Sequence, residues 1–259
     1  INEEDHLRIQ AFSRGLHLQR AWNAAQFLAQ SCEEMLDFAQ SETYRYVTTS
    51  PENSGSGLRA SVMLFVPALI LSKRIEELIA ACISAGYTVR GRDGEGSASA
   101  GFLLQVSCQR PQERDERRIL REMAGLSLSL AAQERRARQM LLTTRPGLIQ
   151  KRFAWAGHHL RTAPSLDCEL GSTLLGWCRF SVAAAIPMPH GISVTTKRSQ
   201  YRWLRTLDAL RMRIQPAHIR QYCQEHVQEF IERSADAEAS SAWENSVRAA
   251  LMRAVICAA

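Results

Sequence analysis

The chain has 259 residues, 46% of them hydrophobic and 22% charged, a balance that fits a folded globular protein and excludes a mainly disordered or fibrous one. Its formal net charge of +6 favours anionic partners such as nucleotides or acidic proteins. The seven cysteines form no CxxC pair and are odd in number, which reads as reduced thiols and argues against a disulfide framework or a zinc site.

In chain order, residues Ile1 to Gln10 read as a short charged extended segment, with a turn at Ser13 to Gly15. Apolar spacing through Trp22, Ala25, Leu28, Cys32, Met35 and Leu36 predicts a helix over Ala21 to Phe38. The β-branched and aromatic content of Tyr44 to Thr49 predicts a strand, Ser50 to Gly57 a loop, and Leu58 to Val66 a second strand stopped by Pro67. A helix follows over Lys73 to Ala85, with Gly86 where a left-handed cap belongs. Two more strands, Tyr87 to Arg90 and Phe102 to Cys108, bracket a glycine-rich loop from Gly91 to Gly101. Gln112 to Met140 reads as a long charged helix, and Thr143 to Gly147 as a break.

Beyond Pro146 the pattern is helical: Leu148 to Arg161, Ser172 to Ala185, Gln200 to Arg211, Ala217 to Arg233 and Ser241 to Cys257. The expected class is α+β, with an antiparallel sheet flanked by helices in residues 1–143 and a small helical domain in 148–259. The longest apolar run, Leu174 to Met188, is interrupted by Arg179 and too short for a bilayer, and no secretory signal precedes the first element. A cytoplasmic protein without membrane contact is therefore expected. The stretch Lys197 to Arg213 is basic and carries Tyr201 and Trp203, but a solvated helix face explains it better than a nucleic-acid surface.

Three stretches carry candidate chemistry. In Asn2-Glu3-Glu4-Asp5-His6-Leu7-Arg8, an extended backbone would turn Glu4, His6 and Arg8 to one side. Such a set can hold a cationic group beside an anionic one, or form a self-neutralising edge. Arg59 follows a glycine-rich loop at the start of an apolar strand, from which its donor fork can reach phosphate oxygens or snorkel to water. Arg90 ends a strand, and Glu95 rides on the Gly91-to-Gly101 loop, which has neither a Walker A nor a Rossmann spacing. Together they suit phosphoryl transfer: Arg8, Arg59 and Arg90 neutralise a triphosphate carried with Mg²⁺, while Glu4 and Glu95 bind a guanidinium and one of them takes its proton.

The runs NEEDHLR at Asn2–Arg8, GLRASVML at Gly57–Leu64 and VRGxxGEGS at Val89–Ser97 resemble, in the same order, the ATP:guanido phosphotransferases, which include arginine and creatine kinases. Met63, Val66-Pro67-Ala68-Leu69 and the short GEGS loop are most similar to the bacterial protein-arginine kinases. Gln215-Pro216-Ala217-His218 and Arg248-Ala249-Ala250-Leu251 extend the likeness over nearly the whole chain. The resemblance implies a glutamine-synthetase-like sheet lined with helices, and transfer of the γ-phosphoryl of ATP, with Mg²⁺, to arginine side chains in proteins. It implies that Arg8, Arg59 and Arg90 bind ATP, that Glu4 and Glu95 bind the substrate guanidinium, and that the helical domain resembles a phosphoarginine-binding module. The partners it implies are proteins with exposed arginine, an activator protein and a homo-oligomer.

Four departures from the family pattern keep alternatives open. Ser50, in Ser50-Pro51-Glu52-Asn53, stands where the family has the cysteine beside the guanidinium, and is expected at a catalytic position. The chain begins at Ile1, and the N-terminal segment with a further phosphate-binding arginine is expected to be missing. Glu244-Asn245 replaces Arg-Asp ahead of Arg248-Ala249, and Cys108 replaces an asparagine. A catalytically impaired adaptor of the same fold, or a free-arginine kinase, are the alternatives.

Overall fold

A computed structural model describes residues 6–91, 100–109, 115–188, 192–226 and 237–257. They form two compact units, one of residues 1–97 and 103–136, the other of 98–102 and 137–259.

The first unit is built on a three-stranded antiparallel sheet. Strands β1 (Arg59–Phe65), β2 (Thr88–Gly91) and β3 (Leu103–Gln109) lie in the order β1-β3-β2. β1 pairs with β3 from Arg59↔Gln109 to Phe65↔Leu103, and β2 pairs with it from Thr88↔Ser107 to Gly91↔Leu104. Opposed residues share a face, and successive residues alternate between faces. Ala60, Val62, Val89, Val106 and Cys108 therefore line one side. Against it pack Ile119, Leu120 and Met123 of α4 (Glu116–Thr144), with Leu18 and Trp22 of α1 (Leu18–Glu33). Each large apolar side chain buried there contributes about 1.5–3 kcal/mol.

The strands β1 to β3 and most helices follow the sequence closely. α1 starts three residues before and ends five residues before the expected Ala21 to Phe38, leaving Met35 and Leu36 outside it. Two further differences stand out. The strand expected over Tyr44 to Thr49 does not form; among the described residues it makes a single β-bridge, Tyr46↔Gly55. A 3₁₀ turn at Pro51–Asn53 folds the following residues back on themselves, so β propensity has no partner strand to act on. The second difference is α2 (Pro67–Leu71), where the sequence suggested only a strand end. Pro67 occupies the first helical position, where its missing N–H costs nothing. The buried Glu134 carboxylate of α4 accepts from the N–H groups of Ala68, at 3.1 and 3.2 Å, and Leu69, at 3.0 Å. Helix α3 (Ile75–Ser84) follows, and Gly86 just past it has the left-handed φ of 80° that the sequence anticipated. The division between the two units falls inside α4, between Arg136 and Ala137.

The second unit is helical, with a short turn at Ala100–Phe102. Its helices are α5 (Pro146–Thr162), α6 (Cys168–Ala184), α7 (Lys197–Arg213), α8 (Pro216–His226) and α9 (Ala237–Ile256). α6 is its centre: Leu174, Trp177, Cys178, Phe180 and Val182 are all buried. Trp177 meets Phe102 edge-on at 5.0 Å, and Phe153 meets Phe180 at 5.7 Å. Gly176 lets the Gly101 backbone approach so closely that an added Cβ would lie 2.7 Å from the Gly101 Cα. Asp167 caps α6 by accepting from Leu170 N–H at 2.7 Å, and Arg179 pairs with Asp208 of α7. No helix among the described residues is long and apolar enough to cross a membrane.

Candidate functional site

The side of the sheet opposite the apolar core is polar toward the Arg59 end and turns apolar at Met63, Phe65 and Leu103. By register, Arg59 and Ser61 of β1, Ser107 and Gln105 of β3, and Thr88 and Arg90 of β2 all occupy it. The hydroxyls of Ser61 and Ser107 hydrogen-bond across the strands at 3.0 Å. Arg59 is exposed at the start of β1, and Arg90 is half-buried on β2 opposite Gln105. Two strand spacings across and four residues along separate their Cα atoms by roughly 17 Å. Two guanidiniums thus rise from strands on either side of β3, with a row of hydroxyl and amide groups between them. Such a surface suits an extended polyanion, each guanidinium offering a planar fork of donors to phosphate oxygens.

The loop leading into Arg59 is tied down. Tyr46 donates its hydroxyl to Glu33 of α1, and the Arg45 guanidinium lies 5.0 Å above the Tyr46 ring. Arg45 also donates to Glu116 of α4 at 3.0 Å, and Glu116 accepts from the Trp22 indole at 2.9 Å. Burial, then the hydrogen bond to Glu33, pushes the Tyr46 hydroxyl up to about 12. Gly57 takes a φ of 66° two residues before Arg59, and a Cβ there would sit 3.3 Å from the Tyr46 ring. Tyr46 is thus the platform on which the loop turns toward β1.

Ser50 precedes the 3₁₀ turn and is half-buried. Its carbonyl accepts from the Asn53 N–H at 3.0 Å and the Thr48 hydroxyl at 2.6 Å. Arg8 is exposed and lies outside any regular element. Glu4 and Glu95 lie outside the described residues. The structure therefore brings Arg59 and Arg90 onto one face. Ser61, Ser107, Thr88 and Gln105 on that face were not singled out from sequence; the strict alternation of polar and apolar residues through 59–62 and 105–108 was the available signal.

In the helical unit, Arg248 is 1% exposed. It donates to the carbonyls of Ile214 and Leu166, both at 2.8 Å, and to the Asn245 side chain at 2.6 Å. Glu244, also buried, accepts from Arg220 at 2.6 Å. Arg248 is thus committed to backbone carbonyls, one of them the orphan at the end of α7. Any phosphoarginine site in this unit would need other cations. Among the described residues no group of three His, Cys, Asp or Glu is placed to hold a metal ion.

Residues 1–137 match the family model described as ATP:guanido phosphotransferase, C-terminal catalytic domain. The chain is 36% identical over 219 residues to a protein-arginine kinase of Pelotomaculum thermopropionicum, covering 85% of this chain and 58% of that protein. A protein-arginine kinase of Halothermothrix orenii is 44% identical over 142 residues, 55% of this chain and 41% of that protein. The chain thus spans about half the length of these curated relatives. Substrate-free duplicated taurocyamine kinase from Schistosoma mansoni superposes with a TM-score of 0.37 at 24% identity, over 46% of this chain and 15% of that one, too loosely to add to the sequence match.

Proposed function

The chain belongs to the ATP:guanido phosphotransferase family, and from that premise we propose that it transfers the γ-phosphoryl of ATP to arginine side chains in proteins. The observation that carries the proposal is the pairing of Arg59 and Arg90 on one polar sheet face within the family's catalytic domain. In this reading the sheet is part of a glutamine-synthetase-like catalytic fold, and residues 148–259 form a separate helical domain.

The chemistry divides among the chain's own residues. Arg59 and Arg90, with Arg8, bind the triphosphate and offset the charge that builds on the transferred group. The Ser61–Ser107 hydroxyl pair joins β1, which bears Arg59, to the central strand β3 and supports the same face. A magnesium ion fits as a companion of the nucleotide, held chiefly by phosphate oxygens, because it tolerates few protein ligands; it would neutralise charge on the β- and γ-phosphates. Glu4 and Glu95 grip the substrate guanidinium from two sides and hold its nitrogen in line with the phosphorus. As the N–P bond forms, the bond from phosphorus to the β,γ-bridging oxygen breaks and ADP departs. The proton lost by the nitrogen passes to one of the two glutamates. Ser50, at the head of the 3₁₀ turn, stands by the guanidinium as a hydroxyl that stays protonated, so it positions by hydrogen bonding and carries no charge.

Proteins with exposed arginine are the proposed substrates. The test is Mg·ATP-dependent formation of acid-labile phosphoarginine on an arginine-rich unfolded protein, with Glu95→Ala as control. Product that disappears in the control supports the reading. A folded chain that binds nucleotide but makes no product points to an adaptor of the same fold, and phosphorylation of free arginine alone points to a free-arginine kinase.

A further inference from the structure

The charge of this chain is unevenly placed. Residues 137–259 hold 16 Lys and Arg against 9 Asp and Glu, a net of +7, whereas residues 1–136 hold 16 against 17, a net of −1. The whole positive balance therefore belongs to the helical part, and an asymmetry of this kind marks a surface for an anionic partner.

Within that part, α7 concentrates it. The helix carries Lys197, Arg198, Arg202, Arg205, Arg211 and Arg213, against a single acid, Asp208, whose charge is taken by Arg179. Its inner side is fixed by the buried Leu207 and Leu210, and by the Trp203 indole donating to the Ser193 carbonyl at 3.1 Å. Its outer side is a continuous stripe at helical spacing: Arg198, Tyr201, Arg202, Arg205, Ala209 and Met212. All six are exposed, Tyr201 to 65% and Met212 to 57%. Among the described residues the guanidiniums of Arg198, Arg202 and Arg205 make no ion pair or side-chain hydrogen bond. Like charges three and four residues apart repel, so the helix carries a cost that no ion pair of these arginines offsets among the described residues.

We propose that the outer stripe of α7 is a docking surface for an acidic polypeptide segment, with Arg198, Arg202 and Arg205 pairing with its carboxylates and Tyr201 and Met212 covering its apolar side chains. The mixture decides the class of partner. The three arginines span about 10 Å along the helix axis, and an amphipathic acidic segment can match both the charge and the two apolar residues. A nucleic acid would call for several stacking aromatics among the cations, and the stripe offers Tyr201 alone, since Trp203 is half-buried and tied to Ser193. The assignment rests on this surface and not on the kinase reading.

The test is fluorescence anisotropy with the full chain and a labelled amphipathic peptide of Glu, Leu and Ala, about 20 residues long so that it can cover the helix. The stripe variant is Arg198→Glu, Arg202→Glu, Arg205→Glu. The control reverses three cations on or beside α5: Arg145→Glu, Lys151→Glu, Arg152→Glu. The stripe variant is expected to lose about tenfold or more in affinity and the control about threefold or less. Should the reversed stripe impair folding, judged by its thermal melt, the Arg→Gln triple variant is read in the same way. Equal losses in stripe and control would overturn the proposal, as would unchanged peptide binding in the stripe variant. A single-stranded oligonucleotide of matched charge that binds the stripe more tightly than the peptide would overturn it too.

Discussion

Gly57 and Tyr46 set the direction from which Arg59 enters the sheet. Gly57→Ala would force a side chain into a φ of 66° and against the Tyr46 ring at 3.3 Å. The expected cost is about 1–2 kcal/mol, read from the urea midpoint. Tyr46 gives the same loop a pH signature. Its hydroxyl binds its proton more tightly when folded, titrating at about 12 against 10.0 for a free tyrosine. The stabilisation is therefore whole below pH 10 and is lost as pH rises through the interval up to the folded value. Tm of the wild type should fall more steeply between pH 9.5 and 11.5 than that of Tyr46→Phe, which has no such proton to lose. Parallel curves would show that Tyr46 is not coupled to the loop. The sequence marked residues 50–57 as a loop and Arg59 as its exit. The ring beneath Gly57 was hidden because Tyr46 reaches it through a β-bridge and a tether to Glu33, neither of which has a local pattern.

At the level of elements, periodicity served well wherever one face of a helix or strand met a core. β1, β2 and β3, the helices from α3 to α7, and the break between α4 and α5 all lie close to where their patterns put them. Propensity misled where no partner existed, as in residues 44–49. It was silent where an element depends on a distant group, and α2 is such a case. Its five residues are too few to be stable on their own, and Glu134, 66 residues from Ala68, supplies the missing acceptors. Glu134→Ala leaves the Ala68 and Leu69 N–H groups buried without a partner and is expected to cost about 2–4 kcal/mol in chemical denaturation. Glu134→Gln, which keeps one acceptor oxygen, should recover part of the loss. Arg248 plays the matching part in the helical unit, joining α9 to the end of α7 and to Leu166. Arg248→Met should cost about 3 kcal/mol, because two carbonyls and Asn245 lose a charged donor together. A loss under 1 kcal/mol would mean that those groups find other donors. From sequence, Arg248 stood only as part of a run similar to the family; its burial shows that its donors are spent inside the fold.

For the whole molecule, the sheet divides two kinds of work. One face buries Ala60, Cys108, Ile119 and Met123 in an apolar core, and the other gathers Arg59, Arg90, Ser61 and Ser107. The family motifs were legible because they are contiguous. That Arg59 and Arg90 share a face was not, since it depends on the register of β3 between the strands that carry them. The helical unit, where the net positive charge lies, has a separate surface chemistry.

If Arg59 and Arg90 bind one triphosphate, calorimetric titration of Mg·ATP into the wild type, Arg59→Ala and Arg90→Ala will show it. Each variant, with its Tm near that of the wild type, is expected to bind about tenfold or more weakly, the usual loss of a charge-assisted hydrogen-bonding donor. Wild-type affinity in both variants would contradict the claim and separate the polar sheet face from the nucleotide.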